Sequence, residues 1–417
     1  MNIKNKPVCI IGLGYVGLPL AVQVISKGFT VLGIDINVEL VSSLKAGKSH
    51  IEDVSSTELS KALERGQLKI SSDFSDLSNC DVVIICVPTP LTVSGVPDFA
   101  PLNEAVNNIS KFISPGSLVS LESTVQPSGT LKLVIEPVVR LSGIDRESLH
   151  FCFSPERIDP GNKLWTLEDV PKIVAGDGEM DMEIASSFYE SIFPNVVKTS
   201  NTIEAELAKL LENSFRLVNI SFINEFALFC NVIGVEVNKV VELAKSKPFG
   251  FMPFRPGPGV GGHCIPVDPV YLNHVVREFN MKLKILDESI EVNQRLISRI
   301  VERIIELTKE TTIDNVRVGV VGISYKPDVA DIRESPGIRI IEKCREKGFK
   351  VLWNDSLANS WNNESSKSLN ELIDSCDLIV VSNIHSSFDL SPLEAQSKVP
   401  VLDLTYSLKV NDLTYRI

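Results

Sequence analysis

One sequence pattern occurs twice in this chain, and it limits the possible folds more than any other feature. Near the N terminus, Lys27-Gly28-Phe29 leads into the apolar run 31–35, and Cys80-Asp81 leads into Val82-Val83-Ile84-Ile85. Far along the chain, Lys347-Gly348-Phe349 leads into 351–355, and Cys376-Asp377 leads into Leu378-Ile379-Val380-Val381. Each copy opens on a short apolar run (8–12 and 316–322), followed by a helix-length segment at about 15–27 and 335–346. Further strands are predicted at 82–87 and 118–122. Short apolar strands alternating with helices belong to parallel sheets covered on both faces. The fold class predicted is therefore α/β, with two Rossmann-like doubly wound domains.

Residues 202–308 carry helical periodicity instead, with long apolar-rich segments at 203–233 and 284–308. A central helical domain is predicted to join the other two, giving domains 1–200, 201–310 and 311–417. With 417 residues the chain exceeds one ordinary core. The long apolar helices suit a homodimer interface or a spine buried within one chain.

Composition excludes several classes. A hydrophobic fraction of 44% with 23% charged residues describes a soluble globular protein. A net charge of -12 argues against nucleic-acid binding, though it permits a local basic pocket. The 8 cysteines show no Cys-x-x-Cys pair and the 5 histidines no metal spacing, so neither a disulfide framework nor a metal is expected. A reducing cytoplasm is the natural compartment. Residues 8–25, after Lys4 and Lys6, superficially resemble a signal peptide, but Gly12, Gly14, Gly17 and Pro19 break the run and Gln23 interrupts it. No membrane segment is expected.

The first copy carries Gly12-Leu13-Gly14-Tyr15-Val16-Gly17 between a predicted strand and helix, and Asp35 closes the next strand. The glycines permit a tight turn and close pyrophosphate approach, and the helix N-terminus supplies amide donors. A carboxylate at Asp35 accepts from a ribose 2′-hydroxyl and repels a 2′-phosphate, which predicts NAD over NADP. The second copy lacks this fingerprint, so two different nucleotide-like ligands are expected.

Residues 256–269 read Pro-Gly-Pro-Gly-Val-Gly-Gly-His-Cys-Ile-Pro-Val-Asp-Pro. Gly257, Gly259, Gly261 and Gly262 lead to the thiol of Cys264, and Asp268 follows. Glycines allow close backbone approach and the prolines exclude regular structure, so the thiol is placed to meet a bound molecule. The same loop also reads as a tight surface turn with an ordinary cysteine. Lys209 and Asn213 are one helical turn apart among Leu207, Leu210, Leu211 and Phe215. A partly buried ammonium beside an amide stabilises an oxyanion; a solvated lysine near a helix start is the alternative. Pro88-Thr89-Pro90, Ser123-Thr124 and Ser154-Pro155-Glu156-Arg157 fall in loops after strands, where α/β ligands gather, yet caps and turns use the same residues. In the second copy, Tyr325-Lys326-Pro327-Asp328 and Asp331-Ile332-Arg333-Glu334-Ser335-Pro336 offer two basic residues to a diphosphate or to the adjacent carboxylates.

With these motifs in this order, the chain resembles the UDP-glucose/UDP-N-acetylhexosamine 6-dehydrogenase family over essentially its whole length, on the UDP-N-acetyl-D-glucosamine/mannosamine branch. The resemblance implies an NAD domain, a helical dimerisation domain and a C-terminal UDP-sugar domain. It implies NAD-dependent four-electron oxidation of carbon 6, with Cys264 as nucleophile passing through a thiohemiacetal and a thioester. Lys209 and Asn213 would stabilise oxyanions, and Asp268, Thr124 and Glu156 would order water or move protons. Cofactor contacts would come from Gly12, Gly14, Tyr15, Val16, Gly17, Asp35, Pro88, Thr89 and Thr124, with Arg333 reaching the cofactor from the C-terminal domain. Substrate contacts would come from Glu156, Arg157, Lys209, Asn213, Gly261 and Lys326, with Arg255 counted among them. The product would be a precursor of surface polysaccharide.

The UDP-glucose branch has a lysine immediately before the matching aspartate, where this chain has Val267; His263 and the run 256–259 look like the N-acetylhexosamine branch. UDP-N-acetylglucosamine is the favoured substrate, with the manno and galacto isomers and UDP-glucose as alternatives. A two-electron dehydrogenase of the 6-phosphogluconate or hydroxyacid type would not account for the thiol. A nucleotide-sensing protein without turnover would not account for the Lys209, Asn213, Cys264 and Asp268 set.

Overall fold

The computed structural model describes residues 7–92, 94–159, 162, 164–309, 312–395, 399–409 and 411–417; Lys4 and Lys6 lie outside them. The chain divides into two compact units, Met1–Leu211 with Val270–Val275, and Glu212–Pro269 with Val276–Ile417.

The first unit holds an eight-stranded sheet: β1 Val8–Ile11, β2 Val31–Ile34, β3 Leu68–Ser71, β4 Val82–Ile85, β5 Leu118–Leu121, β6 His150–Phe153, β7 Lys172–Gly176 and β8 Val196–Thr199. The spatial order is β3-β2-β1-β4-β5-β6-β7-β8, parallel except where β6 meets β7. Val8 pairs with Val31 on one side and Val82 on the other. β1, β2, β4 and β5 are buried at every position, which explains why they read as unbroken apolar runs rather than alternating ones. The pleat sends Val8, Ile10, Val31 and Ile84 into one core, and Cys9, Ile11, Leu32 and Val83 into the core on the opposite face. The strand order reverses between β1 and β4, which opens a crevice beyond their carboxyl ends. The run that resembles a leader is β1, a glycine turn and the helix Gly17–Ser26.

The second unit carries five parallel strands, β9 Arg317–Val321, β10 Lys350–Asn354, β13 Leu378–Val381, β14 Val401–Asp403 and β15 Thr414–Tyr415, in the order β10-β9-β13-β14-β15. A hairpin of β11 Ser360–Trp361 and β12 Glu364–Ser365 lies outside that sheet. The apolar-rich central segments form the helices Thr202–Val232 and Lys284–Leu307. The second of these packs Leu296, Ile300 and Ile304 with Val318 and Val320 of β9 and with Ile340 of the helix Pro336–Glu346. Among the described residues no helix is long and apolar enough to cross a membrane.

The duplication reaches atomic detail. Gly12 and Gly322 end their first strands with φ of +90° and +83°, and their amides donate to Ile34 and Asn354 carbonyls, both at 2.8 Å. A Cβ at either residue would strike backbone, at Cys86 O in the first copy (2.7 Å) and Asn383 O in the second (2.2 Å), so only glycine fits. Asp35 Oδ2 accepts the Leu13 amide (2.8 Å), and Asp355 Oδ2 accepts those of Ile323 and Ser324 (2.9 and 2.8 Å). Besides the larger sheet of the first copy, the two differ in their first turn. The second inserts 323–335 before its helix, which displaces the glycine fingerprint.

Candidate active site

In the first unit the dinucleotide loop has the geometry its sequence calls for. A Cβ on Gly17 would lie 1.9 Å from the Gly12 carbonyl, so the helix can start this close to β1 only with glycine there; around Gly14 nothing lies within 4 Å. Val16 provides no side-chain cap. The Leu18 and Leu20 amides donate to the Gly14 and Val16 carbonyls (3.1 and 3.2 Å) and Pro19 has no N–H, so the helix start offers a phosphate the Gly17 amide and the N-terminal dipole. Asp35 accepts from Leu13 through one oxygen and from Asn37 (2.9 Å) through the other, and each oxygen retains a lone pair for a hydroxyl. The Tyr15 ring meets His50 edge-on at 6.4 Å, and burial pushes that imidazole below its ordinary range despite the Asp35 and Glu52 charges.

The neighbouring loops are tied down. The Tyr271 hydroxyl donates to the Thr89 carbonyl (2.8 Å), fixing the segment that contains Pro88. Ser123 Oγ donates to the Val87 carbonyl (2.7 Å), and Thr124 sits partly exposed just beyond β5. Glu206, on the same helix as Lys209, accepts the amides of Ser128 and Thr130 (2.6 and 2.8 Å) and so pins the segment after Thr124.

Glu156, 7% exposed, points its carboxylate inward: Oε1 accepts the Arg157 and Ile158 amides (both 2.7 Å), and Oε2 accepts Lys172 Nζ (3.1 Å). Burial pushes its carboxyl up, but the Lys172 and Lys209 charges outweigh this and hold it below the ordinary range. Lys209 is itself buried and donates to the Glu156 carbonyl. Arg157 donates to the Pro171 carbonyl at 3.0 Å.

In the second unit Cys264 is half-buried, and its carbonyl accepts the amides of Val267 (3.2 Å) and Asp268 (2.9 Å), closing the loop onto the helix Asp268–Glu278. Asp268 is 1% exposed, and its Oδ2 accepts Asn213 Nδ2 at 2.6 Å. The thiol loop rests on the insertion of the second copy. The Gly262 amide donates to the Arg333 carbonyl (3.0 Å), and Cβ atoms on Gly261 or Gly262 would collide with Tyr325, at 2.8 and 2.7 Å. Lys326 is half-buried in that insertion. Arg333 forks onto Asp331 (2.9 and 2.5 Å), and Arg255 pairs with Glu242 (2.7 Å) at the surface. His385, which sequence patterns do not single out, bridges Asp355 (3.0 Å) and the Asp328 amide (2.9 Å) and so steadies the Lys326 loop. Among the described residues no cluster of His, Cys, Asp and Glu is arranged to hold a metal ion.

Lys172 and Glu122 are the other functional candidates that sequence reading misses. The available signal is a lysine opening an apolar strand and a glutamate closing another.

Family models cover most of the chain. The NAD binding domain of the UDP-glucose/GDP-mannose dehydrogenase family matches residues 6–194, its central domain 203–295 and its UDP binding domain 319–408. The chain belongs to the UDP-glucose/GDP-mannose dehydrogenase family. It is 35% identical over 353 residues to the UDP-N-acetyl-D-glucosamine 6-dehydrogenase of Pseudomonas aeruginosa, covering 84% of this chain and 82% of that one. It is 34% identical over 390 residues to the UDP-N-acetyl-D-mannosamine dehydrogenase of Methanococcus vannielii, covering 92% and 87%. The solved UDP-D-ManNAc dehydrogenase of Pyrococcus horikoshii superposes with a TM-score of 0.89 at 28% identity, covering 99% of each chain.

As a member of the UDP-glucose/GDP-mannose dehydrogenase family the protein is an NAD-dependent UDP-sugar dehydrogenase. The glycine cradle, the uncapped helix start and Asp35 fit NAD. Asp35→Ala is expected to narrow the NAD-over-NADP ratio in kcat/KM by on the order of tenfold, since the discriminating carboxylate is gone. An unchanged ratio across a cofactor series would contradict this placement.

Proposed function

We propose that the protein oxidises carbon 6 of a UDP-N-acetylhexosamine, with UDP-N-acetylglucosamine favoured, to the uronic acid through a covalent adduct on Cys264, supplying an acidic sugar for surface polysaccharide. The observation that carries this reading is the buried Asn213–Asp268 pair, which fixes the end of the glycine-set loop bearing the thiol. The names of the relatives support the N-acetylhexosamine class. We further assign residues 1–200 to cofactor, 201–310 to dimerisation and 311–417 to the UDP-sugar.

NAD, held by the Gly12–Gly17 turn, Asp35 and the loops of Thr89 and Thr124, supplies the hydride acceptor for both oxidations. Cys264 adds its sulfur to the aldehyde carbon, forming a thiohemiacetal that cannot diffuse away. The Lys209 ammonium and the Asn213 amide stabilise the oxyanion of that adduct. After the second oxidation Cys264 carries a thioester, which water cleaves to the acid and a restored thiol. Asp268 and Thr124 order that water, and Glu156 holds the Lys209 ammonium through its carbonyl and takes part in proton movement. Lys326 and Arg157 meet the substrate, and Arg333 exchanges its Asp331 partner for cofactor.

Carbon 6 is equally reactive in all these sugars, so discrimination arises at the 2-substituent. Polar partners for an acetamido group are left unpaired by glucose, which lowers kcat/KM. Comparing the gluco, manno and galacto UDP-N-acetylhexosamines with UDP-glucose tests this: UDP-glucose as best substrate overturns the branch, and another isomer as best overturns only the gluco preference. Complete turnover of limiting sugar should yield two NADH per acid; one NADH with free aldehyde would sink the covalent route. Binding without any NADH would favour a nucleotide sensor.

Phe215, Phe222 and Phe229 recur every seven residues along the helix Thr202–Val232 and are 47%, 65% and 57% exposed. This apolar face supports a homodimer. Sedimentation of Phe222→Glu should show monomer where the wild type shows dimer.

A further inference from the structure

Beneath the loops that follow β5 and β6 lies a cluster of buried charges in which Glu156 is joined by Lys172 and Glu122, two residues with no part in the chemistry above. Lys172, the first residue of β7, is 4% exposed, and its Nζ donates to Glu122 Oε2 (2.7 Å) and Glu156 Oε2 (3.1 Å). Glu122 directly precedes Ser123-Thr124, and its second oxygen accepts the Tyr189 hydroxyl (2.7 Å). Glu156 spends its second oxygen on two loop amides while its carbonyl receives the Lys209 ammonium. One cation therefore anchors the roots of both loops that carry Thr124, Glu156 and Lys209's acceptor.

Burying three charges costs several kcal/mol per ion before pairing, and well-packed apolar side chains would fill the same space at least as stably. Stability alone does not account for the cluster; orientation does. An ionised Glu156 accepts both loop amides on one oxygen and the Lys172 ammonium on the other, and it stays ionised because Lys172 and Lys209 stand against it. We propose that Lys172 is a positioning residue for Lys209: by neutralising Glu122 and Glu156 together, it fixes the 154–158 loop so that the Glu156 carbonyl holds the Lys209 ammonium. The proposal rests on the reading of Lys209 as the oxyanion partner.

The groups facing the carboxylate pair are Lys172, Lys209, Tyr189 and the thiols of Cys86 and Cys152. Burial pushes both thiols up, that of Cys152 to about 12, and the Tyr189 phenol rises also, so these three are uncharged near neutral pH. Without Lys172, the remaining cation is Lys209, and two carboxylates this close retain one proton between them. Lys209 is then drawn off its carbonyl toward the pair. As pH rises the shared proton is lost, the carboxylates repel and the loop opens.

Steady-state NADH formation from a UDP-N-acetylhexosamine, with NAD affinity measured separately, tests this in Lys172→Met, Lys172→Met/Glu122→Gln and Lys209→Met. In Lys172→Met, kcat is expected to fall on the order of 10²-fold, with NAD affinity unchanged and kcat declining further as pH rises. The double variant removes the surplus charge and should recover most of the kcat and flatten that limb. Wild-type kcat and pH profile in Lys172→Met would overturn the proposal, as would a folded double variant no better than the single. Should Lys172→Met not fold, the double variant decides: a loss as deep as that of Lys209→Met overturns the proposal, and a smaller loss sustains it. Full activity in Lys209→Met would instead overturn the role of Lys209, so the two failures are distinguishable.

Discussion

Cys264→Ala abolishes release of the uronic acid, by on the order of 10⁴-fold or more, while NAD and the UDP-sugar still bind. Removing a covalent nucleophile leaves only positioning and oxyanion stabilisation. The loop should keep its shape, because its contacts run through backbone and glycines: Gly262 to Arg333, and the Cys264 carbonyl to the amides of Val267 and Asp268. The alanine retains all of these. Cys264→Ser should accumulate a partly oxidised species, since an alkoxide adduct is a poorer relay than a thiolate. Chromatographic quantitation of the acid, with calorimetric titration of each ligand, checks both. Acid formation near the wild-type rate in Cys264→Ala would assign the nucleophile elsewhere.

Asp355→Ala costs about 3–5 kcal/mol of folding free energy, the range for removing one partner of a buried charged network. Asp355 is 2% exposed and accepts the amides of Ile323, Ser324, Leu357 and Ala358, besides its bond to His385. Burial alone would push its carboxyl up, but the His385 and amide hydrogen bonds outweigh it and hold the group well below the usual carboxylate range. A pKa depressed on folding adds stability that is full above the unfolded value, about 3.9, and disappears as pH falls through the folded one. Wild-type stability should therefore fall in acid more steeply than that of Asp355→Ala. Urea midpoints at neutral pH and near pH 3 measure both effects, and equal midpoints at neutral pH would contradict the network. Asp35, half-exposed with two amide partners, should show a far smaller stability loss than its counterpart.

What was legible in the sequence was what the chain writes locally. Buried parallel strands impose unbroken apolar runs, and the close approach of Gly17 to Gly12 imposes a glycine at a fixed offset. The pairs that organise the site span distances no periodicity records. Lys172 and Glu122 lie 50 residues apart, Asn213 and Asp268 55, and Tyr271 and Thr89 182. Asn213 and Asp268 stand out singly, as a helix neighbour of a lysine and a loop neighbour of a thiol, yet nothing in the sequence says that they touch. Glu122 and His385 show no more than a polar residue just after an apolar strand, where ordinary turns look the same.

The second copy lengthens its first turn into an insertion, and the thiol loop is seated on that insertion through Gly261, Gly262 and the Arg333 carbonyl. For anyone exchanging sugar specificity between relatives, this sets the size of the cassette. Cutting at 311 separates the nucleophile's loop from the surface that shapes it, and a foreign residue at the Tyr325 position would meet Gly261 and Gly262 without the matching contour. A chimera that keeps its catalytic alignment has to carry 256–269 along with the C-terminal sheet, so the transferable unit is discontinuous in sequence.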